Sequence, residues 1–227
     1  MTLNSMKVDP KYSQSRMSPF DESALESLLL GNDHLRVLEI GSWLGAGSTK
    51  ILARHASELI CIDHWRGNEN QEHKDILNNC DPHLIFKENT SQFGEKIQSI
   101  KIDSENISKL NFKDPFDFIF IDGDHRYTKT IKDIHNCLPL LKKGGIISGH
   151  DCEARYSQLI KGFTEAELEA DHTNSPDFKF KHYHPGVIVA VGEIFGDNVE
   201  LFSDSHNVIN LSDGSVGYST IWYKRTR

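Results

Sequence analysis

The stretch Phe118–Thr130, FIFIDGDHRYTKT, decides how this chain folds. Its first four residues are all apolar, which is typical of a strand that is buried on both faces of a parallel sheet. Two aspartates and a histidine follow the strand, at Asp122, Asp124 and His125. Because ligands of such sheets bind beyond the carboxyl ends of the strands, this charged cluster is a candidate functional site.

Composition limits the classes of partner. The chain has 227 residues, 25 basic and 33 acidic, with a formal net charge of −8. It lacks the global positive field that binding to nucleic acid or to an anionic membrane surface requires, so neither is an expected partner. No apolar run approaches a bilayer span, and the first residues lack the apolar core of a signal peptide. We therefore expect a soluble cytoplasmic protein; whether it is a homo-oligomer stays open.

The four cysteines form no C-x-x-C pair. A chain of this length does not need disulfides to stabilise its core, so we expect reduced thiols.

Strand and helix patterns alternate along the chain. The segment SPFDESALESLLLG predicts a helix with Ser18 as its cap, and five short apolar segments up to IISGHD predict strands. Such alternation predicts an α/β fold with a Rossmann-like, doubly wound, mostly parallel sheet. Two later segments, VELFS and GYSTIWYKR, predict an antiparallel edge and bring the sheet to seven strands. The helix RYTKTIKDIHNCLPLL is expected to end at Gly144 and Gly145.

The domain organisation follows from where this alternation holds. Residues 1–17 are polar and are expected to be irregular. Residues 18–227 are expected to form a single domain. The polar stretch at about residues 153–185 is expected to be an insertion over the site.

A glycine-rich loop, VLEIGSWLGAGST, follows the first strand. Gly45 and Gly47 let a ligand approach the backbone, and the helix beginning near Ser48 offers free N–H groups. Asp63 lies 22 residues after Gly41, at the end of the second strand, where a carboxylate can bind a ribose diol. The spacing G-x-x-x-G-x-G differs from the dinucleotide pattern G-x-G-x-x-G, which disfavours a pyrophosphate cofactor.

Ordered together, these motifs resemble class I S-adenosylmethionine-dependent methyltransferases. LEIGSWLGAGST is similar to the first motif of that family, CIDHW to the second, IDS to the third, and FIFIDGDHRY with LLKKGGIISGHD to the fourth and fifth. The branch with the most similar motifs is the metal-assisted small-molecule O-methyltransferases, including those related to cephalosporin-hydroxylase-type and sugar-modifying enzymes. The resemblance covers residues 19–152 and implies a small hydroxylated molecule as methyl acceptor.

The resemblance also implies which residues bind S-adenosylmethionine. Asp63 would bind the ribose hydroxyls and Asp103 the adenine edge. Two purely structural roles stay open as alternatives: Glu39 could anchor the loop, and Asp103 could cap a short helix. The implied set is Glu39, Gly41, Ser42, Gly45, Gly47, Ser48, Asp63, Asp103, Ser104 and Asp122.

The charged cluster predicts a metal site and a base. Asp122 and Asp151 end strands that are adjacent in this fold and could share Mg²⁺ or another divalent metal. His150 is the candidate third ligand, because Cys152 occupies the position where an Asn or Asp is common in related families. His125 is the candidate catalytic base, since an imidazole titrates near neutrality.

Two other functions remain possible from the sequence. One is a nicotinamide-dependent oxidoreductase on a Rossmann-like fold, and the other is a non-catalytic S-adenosylmethionine-binding protein. Fold alone does not decide between them.

Overall fold

The strands of the protein can be named from a computed structural model that describes residues 9–159, 162–174, 182–204 and 206–226. Most of them are short, and their order along the chain follows the alternation predicted from the sequence. They are β1 (Leu35–Ile40), β2 (Ala56–Asp63), β3 (Ile97–Lys101), β4 (Phe116–Ile121), β5 (Leu141–Gly149), β6 (Thr173–Asn174), β7 (His182–Tyr183), β8 (Glu200–Leu201), β9 (Ile209–Asn210), β10 (Val216–Gly217) and β11 (Trp222–Arg225).

Seven of these strands form one sheet in the order β3-β2-β1-β4-β5-β11-β8. Strand β1 pairs in parallel with β2 and β4, and parallel pairing continues outward to β3 and β5. Strand β11 runs antiparallel to both of its neighbours, β5 and β8. The predicted seven-stranded, mostly parallel Rossmann-like sheet with an antiparallel edge is therefore confirmed. The carboxyl ends of β1, β2, β4 and β5 share one edge of the sheet, where the candidate residues lie.

Helix α1 begins where the local sequence predicts it to begin. Helix α1 starts after Ser18, whose hydroxyl accepts a hydrogen bond from the Asp21 N–H, and the Asp21 carboxylate completes a capping box. Pro19 occupies its first position, where a missing N–H costs nothing. The α-helices are α1 (Pro19–Leu29), α2 (Ser48–His55), α3 (Gln71–Asn79), α4 (Pro82–Thr90), α5 (Tyr127–Cys137), α6 (Glu165–Leu168) and α7 (Pro185–Phe195).

The predicted end of α5 is wrong. The helix stops at Cys137, a 3-10 turn covers Leu138–Leu140, and β5 then begins at Leu141. Pro139 explains the early end, because a proline has no N–H to continue the α-helical hydrogen bonds. Gly144 and Gly145 instead lie within β5, where Gly144 has a φ of +79°.

Two apolar layers cover the sheet. One layer contains Ile119 of β4 together with Ile134 of α5 and Ile188 of α7. The other contains Phe118 of β4 packed with Leu25 of α1 and other residues. Successive residues of β4 therefore enter opposite layers, as expected for a strand that is buried on both faces. No helix within the described ranges is long and apolar enough to cross a membrane.

The two segments that the sequence set apart contain little regular structure. Residues 9–17 hold one 3-10 turn, Pro10–Ser13. Within 153–185, the described residues form a 3-10 turn at Tyr156–Gln158, the short α6, and the β6–β7 pair. The division into a terminal segment and one domain with an insertion stays a prediction.

Candidate active site

The glycine loop after β1 lies directly against the end of β4. Gly41 has a φ of +87°, and a Cβ atom there would overlap the backbone oxygen of Asp122. Only glycine fits this position, for reasons of both space and conformation. Gly45 has a φ of +67°, and a Cβ there would meet the Phe86 ring at 2.7 Å. The loop is thus held close to Asp122, one of the carboxylates at the ends of the strands.

Glu39 anchors the loop to the start of α2. Its side chain is fully buried, and its two oxygens accept hydrogen bonds from the Ser48 hydroxyl at 2.6 Å and the Thr49 hydroxyl at 2.7 Å. The Cys61 thiol donates to the same carboxylate at 3.4 Å. Burial raises the pKa of Glu39, although these hydrogen bonds oppose the shift. Both oxygens are therefore engaged by the protein itself, which corresponds to the loop-anchor alternative.

Asp63 joins the glycine loop to the loop after β2. Its Oδ2 accepts from the Trp43 N–H at 2.8 Å and its Oδ1 from the Trp65 N–H at 2.6 Å. Both tryptophans have positive φ, +42° and +51°, an uncommon conformation for bulky residues. The indole N–H of Trp65 also donates to the Trp43 carbonyl oxygen at 2.6 Å. Asp63 therefore fixes two strained backbone positions at the edge of the site.

A buried polar group in the glycine loop lacks a hydrogen-bond partner among the described residues. The Trp43 indole N–H is buried without a hydrogen bond, which normally costs free energy, and the Ser42 hydroxyl is buried beside the Glu39 carboxylate. A Cβ on Gly47 would lie 3.2 Å from the Ser15 hydroxyl, so the N-terminal segment approaches the same loop. These features fit a polar ligand bound against the loop.

Asp103 and Ser104 lie at the turn after β3. Asp103 caps this turn by accepting from the Glu105 N–H at 3.2 Å, and it also pairs with Arg66 at 3.3 Å. Ser104 lies beside Asp133, a carboxylate whose Oδ1 is buried with no hydrogen-bond partner in the described part of the chain. Burial raises the pKa of Asp133 to about 7. The structure thus gives Asp103 the capping role, and its carboxylate remains about one-third exposed.

In the structure, the charged cluster consists of Asp122, His125, His150, Asp151 and His184. Asp151 lies at its centre, because three imidazoles surround its carboxylate. Its Oδ2 lies 3.1 Å from Nε2 of His125 and 3.3 Å from Nδ1 of His150. Its Oδ1 lies 3.6 Å from Nδ1 of His184. The backbone at Asp151 has a φ of +61°, a sparsely populated conformation that is often found at functional sites.

Asp122 and His150 form the side of the cluster nearest the glycine loop. Asp122 Oδ1 lies 3.6 Å from Nδ1 of His150 and 3.9 Å from Nε2 of His125. On its other side, Nε2 of His150 is 3.3 Å from Oδ2 of Asp21. Asp21 is buried at the start of α1, and its Oδ1 accepts from the Ser219 hydroxyl at 2.7 Å.

The insertion supplies the opposite side of the cluster. Nδ1 of His184 bonds to Oε1 of Glu153 at 2.7 Å, and the His184 backbone N–H donates to Oε2 of the same residue at 3.0 Å. Nδ1 of His125 bonds to Oδ1 of Asp171 at 3.0 Å. The rings of His125 and His184 meet edge to face, with centroids 4.6 Å apart. Each imidazole of the cluster thus has a ring nitrogen beside a carboxylate that lies outside the cluster. We call these the outer carboxylates: Asp21 beside His150, Glu153 beside His184 and Asp171 beside His125.

Mutual charge shifts the pKa values of these groups. Burial acts to lower the pKa values of His125 and His150, but Asp122 and Asp151 raise both well above the ordinary value. Burial acts to raise the pKa of Asp151, but the positive charges of His150, His184 and His125 lower it strongly. The hydrogen bond from His125 lowers the pKa of Asp171 to about 2. The cluster therefore favours charged acids beside charged imidazoles.

Two overlapping groups of side chains could hold a metal ion. Among the described residues, the ligand atoms of Asp122, His150 and Asp151 lie within 4.8 Å of one another, and so do those of His125, Asp151 and His184. The first is the set predicted from the sequence, and the second includes the predicted base. Cys152 belongs to neither group, since it is buried and its thiol donates to the Ala154 oxygen.

Sequence reasoning missed the outer carboxylates Asp21, Glu153 and Asp171. The sequence indicates Asp21 only as part of a helix start, because its contact with His150 joins positions 129 residues apart. Glu153 directly follows the GHDC motif, so its place in the sequence was the one available signal. Asp171 lies in the insertion, where no periodic pattern indicates the fold.

Comparison with known proteins places the chain in a family. A family model described as a methyltransferase domain matches residues 38–152. The chain belongs to this methyltransferase domain family. It is a class I S-adenosylmethionine-dependent methyltransferase, and this decides against the nicotinamide-dependent oxidoreductase that the sequence left open. None of the curated proteins matches the chain.

Solved structures share the fold of this methyltransferase. An O-methyltransferase from Bacillus cereus in complex with S-adenosylhomocysteine has a TM-score of 0.53 at 21% identity, covering 92% of this chain and 82% of its own. Cofactor-bound Rv0187 from MTB has a TM-score of 0.54 at 19% identity, with coverages of 97% and 92%. The N-methyltransferase NodS from Bradyrhizobium japonicum WM9 in complex with S-adenosyl-L-homocysteine has a TM-score of 0.50 at 18% identity, with coverages of 92% and 88%. At these identities the likeness shows the fold alone.

Proposed function

We propose that the protein transfers a methyl group from S-adenosylmethionine to a hydroxyl oxygen of a small molecule, with assistance from a divalent metal ion. The observation that carries the proposal is the contact between the glycine loop and the charged cluster. Gly41 approaches the backbone of Asp122 so closely that a cofactor on the loop and an acceptor at the cluster would be neighbours.

The cofactor half of the proposal uses the residues around the glycine loop. The unpaired Trp43 indole N–H is a polar group that a ligand on the loop could satisfy, and the Ser42 hydroxyl lies beside it in the same loop. Gly41, Gly45, Gly47 and Ser48 would surround the methionine part, while Glu39 holds the loop in place. Asp63 would position the ribose, and Asp103 with Ser104 would border the adenine. Asp63 makes its contribution partly by fixing the backbone at Trp43 and Trp65.

The metal half uses the charged cluster. A divalent ion at such a site lowers the pKa of a hydroxyl that it binds and fixes the direction of the hydroxyl. The residues fit an ion, because half-buried carboxylates and imidazoles converge with their ligand atoms within 4.8 Å of one another. The two overlapping groups give His125 different roles. With the ion on Asp122, His150 and Asp151, His125 takes the hydroxyl proton as predicted; with the ion on the other group, His125 is itself a ligand.

The reaction balances without any further reactant. The methyl carbon leaves the sulfonium sulfur and bonds to the acceptor oxygen, the hydroxyl proton leaves to a base or to solvent, and S-adenosylhomocysteine is released. The chain contributes alignment of donor and acceptor, which lowers the entropy cost of the transition state.

Product analysis tests this proposal. The full chain is incubated with methyl-labelled S-adenosylmethionine and a panel of sugars, catechols and other hydroxyl compounds beside matched amines. We expect transfer to a hydroxyl compound, with mass spectrometry locating the methyl group on oxygen. Transfer only to amines would contradict the O-methylation proposal. Cofactor binding without transfer to any compound would favour the non-catalytic alternative.

A further inference from the structure

The choice between the two overlapping groups determines which kind of ion the site takes. We propose that His125, Asp151 and His184 hold the ion, and that it is a nitrogen-binding transition-metal ion rather than Mg²⁺. This inference rests on the proposed metal-assisted function and deepens it. Two imidazoles and one carboxylate suit ions such as Fe²⁺, Co²⁺ or Zn²⁺, whereas Mg²⁺ prefers oxygen ligands.

His125 already has the arrangement of a metal ligand. Its Nε2 faces Asp151 at 3.1 Å, and its Nδ1 bonds to Asp171 at 3.0 Å. Histidines that bind metals commonly donate their other ring N–H to a carboxylate, which fixes the tautomer and the ring orientation. Nδ1 is therefore engaged by Asp171, while Nε2 faces Asp151, so Nε2 is the nitrogen that would bind an ion shared with this carboxylate.

His184 is held by a buried carboxylate with no other evident role. The Glu153 side chain is only 2% exposed, and its two oxygens bond to the ring Nδ1 and the backbone N–H of His184. Burying a carboxylate costs free energy unless it gains strong partners. Glu153 thus holds the His184 ring beside Asp151 through Nδ1, the same nitrogen that lies 3.6 Å from Asp151 Oδ1, and this contact explains why the burial is retained.

The backbone places Asp151 between these two histidines. Its φ of +61° is strained for a residue other than glycine, and its two oxygens face different imidazoles. The insertion supplies Glu153, Asp171 and His184, so it would complete the metal site as well as cover it. This gives the insertion a specific chemical role.

In the other group, His150 and Asp122 make contacts that connect them to α1 and to the glycine loop. His150 lies 3.3 Å from Asp21, which also accepts hydrogen bonds from Ser219 and from the Thr220 N–H. His150 thereby connects the start of α1 to the end of β5. Asp122 lies under Gly41, on the cofactor side of the cluster. We infer that these two residues form the border between the cofactor and the ion.

Cobalt binding tests the assignment without measuring activity. The full chain is stripped of metal with a chelator, dialysed and titrated with Co²⁺, while calorimetry records affinity and absorption bands report nitrogen ligands. We expect His125→Gln and His184→Gln each to weaken Co²⁺ binding by more than about tenfold, and Glu153→Gln by about tenfold to a hundredfold. His135→Gln is the matched control, because this histidine is exposed in the last turn of α5 and belongs to neither group.

Two outcomes would overturn the inference, and one control excludes unfolding. Loss of Co²⁺ binding in Asp122→Asn and His150→Gln, with His125→Gln and His184→Gln unchanged, would overturn it in favour of the other group. Tighter binding of Mg²⁺ than of Co²⁺ by the wild-type chain would also overturn it. Retained affinity for S-adenosylhomocysteine in each variant excludes unfolding as the cause of a loss.

Failure of the proposed function has a different signature. If Co²⁺ binds as expected but methyl transfer is equal with and without metal, the assignment of the site stands and metal assistance fails. If transfer depends on metal but the variants bind Co²⁺ like the wild type, the ligand assignment fails and the proposed function stands.

Discussion

The carboxylates at the two ends of the candidate site are used in different ways. At the glycine loop, Glu39 and Asp63 accept hydrogen bonds from hydroxyl and backbone donors of the protein itself. At the charged cluster, Asp122 and Asp151 face imidazoles that belong to other elements. The first pair shapes the backbone, while the second pair has groups around it that can exchange a proton or bind an ion.

This difference explains why similar residue types at neighbouring strand ends have different consequences. A carboxylate whose oxygens accept hydrogen bonds from neutral donors of the protein fixes the geometry of the groups that donate to it. A carboxylate among imidazoles depends on their charge, so its environment changes when an ion or a proton arrives. We therefore expect substitutions at the loop to change stability and cofactor affinity, and substitutions at the cluster to change turnover.

The largest expected effect is on turnover, from Asp151→Asn. Loss of the central carboxylate removes the metal's contribution of several kcal/mol, so turnover should fall by about a thousandfold. Affinity for S-adenosylhomocysteine should change little, because the glycine loop is untouched. Asp213→Asn is the surface control, since Asp213 is exposed and its carboxylate accepts hydrogen bonds from nearby Ser215. Equal turnover of Asp151→Asn and the wild type would remove Asp151 from the chemistry.

The next effect is on stability, from Gly41→Ala. A Cβ there would overlap the Asp122 carbonyl oxygen in addition to straining a φ of +87°. We expect a loss of about 3 kcal/mol or more in the free energy of unfolding, measured by urea denaturation.

Gly144→Ala separates the two causes of that loss. Gly144 has a similar φ of +79°, and a Cβ atom there would have nothing within 4 Å of it. Strain alone should cost about 1 kcal/mol there. Equal losses in both variants would mean that the contact between the loop and β4 adds nothing.

A smaller effect is expected on cofactor affinity, from Asp63→Ala. Two backbone N–H groups lose a charged acceptor, worth roughly 1.5 to 3 kcal/mol, so affinity for S-adenosylhomocysteine should fall about tenfold to a hundredfold. Asp81→Ala is the control, because Asp81 caps α4 by accepting from the His83 N–H at 2.9 Å. Calorimetry on both variants checks the prediction, and unchanged affinity in folded Asp63→Ala would exclude this residue from the cofactor site.

The smallest expected effect is a pH dependence of stability that arises from Asp133. Burial raises its folded pKa to about 7, while the unfolded group titrates near about 3.9. Between these values the unfolded chain has released the proton and the folded chain has kept it, so stability falls as pH rises. Asp133→Asn should remove this fall.

Urea unfolding at pH 5 and pH 8 measures the effect. We expect Asp133→Asn to be more stable than the wild type by about 1 to 2 kcal/mol at pH 8 and by less at pH 5. An equal difference at both values of pH would show that Asp133 does not titrate in this range.

Local patterns were sufficient to predict the sheet and the edge of the sheet at which the candidate residues meet. The apolar run before Asp122 and the segment before Asp151 predicted adjacent parallel strands, and parallel strands bring their carboxyl ends together. The Ser18 cap of α1 could also be predicted, because capping depends on residues that are three positions apart in the sequence. The family resemblance then indicated the cofactor.

Contacts between distant segments could not be predicted in the same way. Nothing in the local sequence shows that Asp21 would face His150, or that Glu153 would hold His184. The partners of Asp63 were also hidden, since they are backbone N–H groups positioned by strained tryptophans. The predicted end of α5 was wrong because Pro139, and not the glycines that follow it, ends the helix.

The most direct test removes the metal and measures both halves of the site in one preparation. The chelator-treated chain is assayed for S-adenosylhomocysteine affinity by calorimetry and for methyl transfer to the hydroxyl acceptor identified from the panel. We predict unchanged cofactor affinity, transfer reduced by at least about a hundredfold, and recovery of transfer on adding a divalent transition-metal ion. Full transfer in the presence of chelator, by a chain shown to hold no metal, would contradict metal-assisted methyl transfer at the charged cluster.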